Sequence, residues 1–390
     1  MDPIVIIGTG LAGYSLAKEL RKLDAERPLV LLSADDGRFY SKPLLSNALA
    51  KGKEPDELAT ASAGEMAQQL NAEVRSHCPV QALHPARREV ELAGGERLTY
   101  DRLVLALGAD PIRIPFAGDA ADEVLSVNDL ADYTRFRSRL EGVQKVMILG
   151  AGLIGCEFAN DLCQAGYQVA VADLADQPLG RLLPPESGAA LRAGLTAAGV
   201  EWHLGTGAER IDRADNGYRV TLGNGAQVEA NLVLSAIGLR PRTVLAREAG
   251  LKVERGIVTD RLLRSSDPHI YALGDCLEVE GLVLPYVMPI MNGARALART
   301  LTGTPTELVY PAMPVAVKTP AHPVVVSPPP MGSEGKWRTE AGAEGTAGFF
   351  ESPDGELLGF ALTGSRVGEK QTLTKRLPAM LAAAGQADAA

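Results

Sequence analysis

Residues 3–13 read PIVIIGTGLAG, and residues 145–155 read KVMILGAGLIG. In each, an apolar run ends in a glycine, and further glycines follow two and five positions on. The stretches YSLAKELRKL and CEFANDLCQAG come next, both patterned as helices. The order is therefore strand, glycine turn, helix. The first glycine of such a set allows the tight turn. The second lets a diphosphate approach the backbone, and the third lets the helix pack on the strand. The helix start then offers unpaired N–H groups and the positive end of its dipole to phosphate. One copy is weak evidence, because glycine-rich turns are common. Two copies in the same context define two Rossmann-like dinucleotide-binding units of the α/β class. Candidate ligand contacts are Gly8, Gly10, Leu11, Ala12 and Gly13 in the first, and Gly150, Gly152, Leu153, Ile154 and Gly155 in the second.

The residue ending the second strand of each unit discriminates between ligands. After the second glycine set, QVAVAD places Asp173 where a carboxylate accepts hydrogen bonds from both adenosine ribose hydroxyls. A 2′-phosphate there would be repelled, so NADH is expected over NADPH. After the first set, LVLLSADD places Ser33 in the acid's position, with Asp35 and Asp36 just beyond.

Working outward, LTYDRLVLALGADP (98–111) and VEANLVLSAIGLRPRT (228–243) look alike and read as the closing strands of two similar units, each with a glycine at its end, Gly108 and Gly238. The stretch HIYALGDCLEV (269–279) is a strand ending in Gly274 and Asp275, a carboxylate suited to a sugar-alcohol hydroxyl. The chain has 39 Lys and Arg against 48 Asp and Glu, a net charge of −9 that argues against general nucleic-acid binding. No apolar run has the length of a membrane span. The N-terminus enters a strand at once, so no signal peptide is expected, and four cysteines do not make a disulfide framework. A reducing, cytoplasmic location is expected. The histidines show no metal-ligand spacing.

Together these segments resemble the two-dinucleotide-binding-domain flavoprotein reductases, relatives of the pyridine nucleotide-disulfide oxidoreductases. The resemblance implies that the first unit binds FAD and the second NADH, with Asp275 on the flavin ribitol. It implies a discontinuous FAD-binding domain at 1–112 and 240–315, an NADH-binding domain at 113–239 and a small α+β C-terminal domain at 316–390. In that family an acid placed like Glu157 reaches the nicotinamide pocket. The lysine of a segment like Lys42-Pro43-Leu44-Leu45-Ser46 pairs with it beside flavin N5. Glu157 is expected in the first turn of its helix, where the dipole also favours an acid. Lys318 is a candidate for the pyrimidine side of the flavin, and a helix entered near Met291 is a candidate to face flavin O2.

Disulfide-reducing members of that family carry a C-x4-C pair, and another branch carries one cysteine where this chain has Asn47. Neither thiol arrangement occurs here. Cys78, Cys156, Cys163 and Cys276 read as packing residues, the last three buried. Electrons are therefore expected to leave the flavin directly for a one-electron carrier. FYSKPLLS, LIGCEFANDL, YALGDC, YVMPIM and VKTPAHPVVVSPPP most resemble the NADH:rubredoxin reductase branch of alkane-oxidising bacteria. That resemblance implies rubredoxin as partner, a role in alkane degradation and a monomer. A ferredoxin reductase shares every motif. A non-catalytic NADH-sensing flavoprotein is the reading of another class. Lys370, Lys375 and Arg376 are candidates for a basic docking face, and the end MLAAAGQADAA is expected to fray.

Overall fold

The computed structural model describes residues 2–383. The strand Ile4–Ile7 is buried along its whole length, as expected for a parallel sheet covered on both faces. It lies at the centre of five parallel strands in the order Ile270–Ala272, Arg102–Leu105, Ile4–Ile7, Leu29–Leu32 and Glu73–Arg75. The helices Leu11–Leu23 and Val287–Leu301 pack against each other in this unit. The second of them begins at Val287, one turn before the expected entry near Met291.

The same plan recurs around the second glycine set. Four parallel strands run in the order Val200–Leu204, Gln168–Asp173, Lys145–Leu149 and Leu232–Ser235. In both units the third strand is followed by a three-stranded antiparallel meander before the fourth. These meanders are Val80–His84, Glu89–Leu92 and Arg97–Thr99 in one, and Ala208–Ala214, Gly217–Leu222 and Gln227–Ala230 in the other. The chain contains one architecture twice.

The two look-alike segments meet each other. Ala109–Pro111 pairs antiparallel with Leu239–Pro241, in the register Ala109 to Pro241 and Pro111 to Leu239. Arg242 Nε donates to Asp110 Oδ1 at 2.6 Å across this ribbon. The chain thus leaves the first unit and returns to it through adjacent residues.

A third sheet is antiparallel throughout, in the order Val315–Val317, Val324–Ser327, Leu357–Thr363, Gly345–Glu351 and Lys336–Gly342. One face continues the core of the second unit: Val317, Val324, Val326 and Ala361 join Leu162, Leu191 and Leu195, together with Leu45 and Ala48 of the first unit. Segments from all three units therefore meet in one apolar cluster. The expected fraying at the chain end does not reach Leu381. This residue is buried and exchanges two backbone hydrogen bonds of 3.0 Å with Tyr310. The remainder of that segment, residues 384–390, lies outside the described residues. Among the described residues no helix is long and apolar enough to cross a membrane.

Candidate active site

The two glycine sets build matching cradles. A Cβ at Gly8 would lie 2.2 Å from the Ala106 carbonyl oxygen, and one at Gly150 would lie 2.6 Å from that of Ala236. Gly13 and Gly155 each approach the carbonyl oxygen of their own set's first glycine to 1.9 Å by the same measure. Neither contact leaves room for a side chain. Gly10 and Gly152 have open space instead, at the N-terminal caps of Leu11–Leu23 and Leu153–Gln164, where no side chain caps the helix. Both helices thus begin with unpaired N–H groups facing a clear approach, which fits a dinucleotide diphosphate.

Asp173 lies at the strand end beside the second cradle. Its carboxylate accepts from Ala151 N at 2.5 Å and Ala175 N at 2.7 Å, so it holds the glycine loop in shape. At the first cradle Ser33 is buried, its Oγ 2.5 Å from Thr9 Oγ1, and it also bonds Asp35. Asp35 Oδ1 accepts from Gly37 N at 2.9 Å. An acid therefore stands two residues beyond Ser33, hydrogen-bonded to it. Gly274 has φ +84°, and a Cβ there would meet Ala12 Cβ at 2.7 Å. This close approach brings the Asp275 loop onto the first cradle. Gly108 and Gly238 flank the crossing ribbon with φ of +73° and +118°.

Lys42 opens the 3-10 segment Lys42–Asn47, with Pro43 beside it where a missing N–H costs nothing. The expected ion pair between Lys42 and Glu157 is not formed. Lys42 Nζ donates to Asn128 Oδ1 at 2.7 Å, and Asn128 Nδ2 donates to the Ala109 carbonyl at 2.9 Å. Burial pushes Lys42 below the ordinary lysine range, and the nearby Asp275 carboxylate counters this. Asp275 is in turn pushed up by burial and held down by Lys42. The two charges thus stabilise each other.

Glu157 is buried and pairs with Lys318, the residue after the strand Val315–Val317. Its Oε1 also accepts the Lys318 backbone N–H at 3.0 Å, and its Oε2 accepts from Ser46 Oγ at 2.5 Å. The helix begins at Leu153, so Glu157 lies beyond the first turn. A first-turn dipole contact therefore does not explain it. The cation was expected from the Lys42 segment because the resemblance supplied that pair. In this chain Lys318, expected at the flavin pyrimidine, takes the position instead.

Sequence reasoning missed the neighbours of Glu157. Asp161, one turn on, accepts the backbone N–H groups of Leu49 and Ala50 at 3.0 Å each. Asn160 Oδ1 accepts from Ala321 N at 3.0 Å. The signal was present: Glu157, Asn160 and Asp161 interrupt an otherwise apolar helix, and buried polar groups need partners. Asn128 gave no such signal, because it sits in an irregular segment.

None of the four cysteines is in a disulfide, and Cys163 is only half-buried, not buried as expected. Burial pushes the Cys276 and Cys163 thiols up to about 11 and raises that of Cys156 further.

Two open cradles with opposed charges at their junction are the equipment of a two-nucleotide redox protein. Residues 2–298 match the family described as pyridine nucleotide-disulphide oxidoreductase, and the chain belongs to that family. Residues 307–377 match the rubredoxin binding C-terminal domain. The chain is 53% identical over 382 residues to a rubredoxin-NAD(+) reductase of Alcanivorax borkumensis, covering 98% of this chain and 100% of that protein. It is 42% identical over 376 residues to a nitric oxide reductase FlRd-NAD(+) reductase of Aeromonas hydrophila, covering 96% of each. Its structure superposes on the ferredoxin reductase for the CYP199A2 system from Rhodopseudomonas palustris with a TM-score of 0.87 at 26% identity, over 97% of this chain and 96% of that one. The cofactors are FAD and NAD(H), and two cradles with open second glycines fit two dinucleotides.

Proposed function

We propose that this chain passes electrons from NADH through FAD to rubredoxin: NADH + 2 oxidised rubredoxin → NAD+ + 2 reduced rubredoxin + H+. One observation carries the reading. The sheet that matches the rubredoxin binding domain supplies Lys318 to Glu157 and shares its core with the segment after Lys42. The acceptor domain is thus built onto the junction of the two cradles. FAD, when bound, takes two electrons from NADH and releases them singly.

In this reading Gly8, Gly10, Leu11, Ala12, Gly13, Ser33, Asp35, Pro43, Gly108, Gly274 and Asp275 hold FAD. Gly150, Gly152, Leu153, Ile154, Gly155, Asp173 and Gly238 serve NADH. Lys42 places a fixed cation at the flavin edge, where negative charge develops on reduction. Glu157, held by Lys318 and Ser46, shapes the nicotinamide pocket so that the reacting atoms are aligned. The FAD domain is 1–112 with 240–315, the NADH domain 113–239, and the acceptor domain 316–390. The protein works as a cytoplasmic monomer feeding an alkane hydroxylase.

The test is anaerobic reduction of the holoprotein by NADH, then rapid mixing with oxidised rubredoxin. Fast reduction of two rubredoxins per flavin is expected, with NADPH a poor donor. Ferredoxin is the informative competitor, given the likeness to a ferredoxin reductase. Faster turnover with ferredoxin would move the assignment to that acceptor. Reduction by NADH with no turnover on any one-electron acceptor would leave the sensing flavoprotein.

A further inference from the structure

Lys42 is held by a residue that no motif announces. Asn128 is buried and lies between Lys42 Nζ and the Ala109 carbonyl, at 2.7 and 2.9 Å. Its orientation is forced by chemistry. An ammonium only donates and a peptide carbonyl only accepts, so the Asn128 oxygen must face Lys42 and its NH2 must face Ala109. No other neutral side chain of that length offers one acceptor and one donor in this way. The backbone of Asn128 is fixed as well, since its N–H donates to Asp132 Oδ2 at 3.1 Å at the start of the helix Leu130–Arg139. Ala109 belongs to the ribbon through which the chain crosses between units. The amide therefore ties the position of the ammonium to the crossing itself.

We propose that Asn128 is a positioning residue for flavin reduction: its amide fixes the Lys42 ammonium against the strand Ala109–Pro111. The inference rests on the assignment of Lys42 to the flavin edge made above. The charged groups around Lys42 are Asp275 from the loop at the first cradle, Asp129 beside Asn128, and Asp110 and Arg242 from the ribbon. Three of them favour the ammonium and Arg242 opposes it. The Asn128 oxygen adds a hydrogen bond that is stronger to the ammonium than to the neutral amine. Its removal lowers the pH at which the ammonium is lost.

The experiment is stopped-flow reduction of the FAD-loaded protein by NADH across pH 6–10, in wild type, Lys42→Met, Asn128→Ala and the double variant. In the wild type the limiting rate is expected to fall at alkaline pH as Lys42 loses its proton. In Asn128→Ala that limb moves to lower pH, and the limiting rate at neutral pH drops about tenfold through misplacement of the cation. Lys42→Met abolishes the limb, and the double variant matches it. Asn128→Ser, whose hydroxyl is too short to bridge, reports in the same way if Asn128→Ala loses FAD. An alkaline limb that stays in place in the Asn128 variant would overturn the inference while leaving Lys42 intact. A normal rate in Lys42→Met would instead overturn the assignment of Lys42.

Discussion

Glu157 is the most heavily committed side chain of the junction, accepting from Ser46, from the Lys318 backbone and from the Lys318 ammonium. Glu157→Ala and Lys318→Ala are each expected to slow flavin reduction while FAD stays bound. Because they break the same contact, their effects should couple by about 0.5–3 kcal/mol, whereas Glu157→Ala and Lys42→Ala, which share none, should be closer to additive. A double-mutant cycle on the reduction rate measures both. A second residue-scale prediction concerns Asp173. Its loss is expected to weaken NADH by about 1–3 kcal/mol and to narrow the gap to NADPH, read by titration with each nucleotide. A third concerns the thiols. Burial disfavours the thiolates of Cys156, Cys163 and Cys276, so replacing these three and Cys78 together by Ala should leave rubredoxin turnover within about threefold in molecules that fold. A reductive titration should reach full reduction at two electrons per flavin. Four electrons would reveal a thiol relay.

At the scale of elements, the helix Leu153–Gln164 serves two purposes. Its N-terminus faces the second cradle, and its middle holds the other two units through Glu157, Asn160 and Asp161. Asp161→Ala leaves two backbone N–H groups without acceptors at a partly buried site, a cost of about 1–3 kcal/mol per group where water cannot replace the bond. The midpoint of thermal unfolding should fall, and the limiting rate of flavin reduction with it. Electron transfer from dithionite-reduced flavin to rubredoxin should change little. The cradles were legible in the sequence because glycine is read there directly: at Gly8, Gly13, Gly150 and Gly155 no side chain fits. The strands were legible because parallel strands buried on both faces are continuously apolar. The partners of Lys42 and Glu157 were not. Lys42 lies 86 positions from Asn128, and Glu157 lies 161 from Lys318. No local pattern encodes which distant polar atom a fold brings within 3 Å.

At the scale of the whole molecule, a net charge of −9 would repel an acidic carrier unless docking used a local cationic face. Lys370 is half-buried and Lys375 and Arg376 are exposed. Among the described residues none of them makes an ion pair, whereas Arg366 close by is taken by Glu340 and Glu369. Raising ionic strength is therefore expected to depress rubredoxin reduction more than NADH-to-ferricyanide turnover. Substituting Lys370, Lys375 and Arg376 by Gln should reduce that difference. Equal salt dependence in the two assays would remove the case for this face.

The paired crossing at Ala109–Pro111 and Leu239–Pro241 also bears on how such a chain can be re-engineered. Pro111 stands opposite Leu239 in antiparallel register, the geometry of a hairpin whose tip has been opened. Everything from 112 to 238 occupies the place of a reverse turn. That passenger repeats the architecture of its host, so one copy of the plan is nested inside a hairpin of the other. The nesting is structurally cheap, since the host's cut ends never separate. Replacing 112–238 by an Asn-Gly turn closes that hairpin but uncovers Leu45, Ala48, Val317, Val324 and Val326, which pack on the passenger, so the shortened host is expected to bind more of an apolar dye than the full chain does.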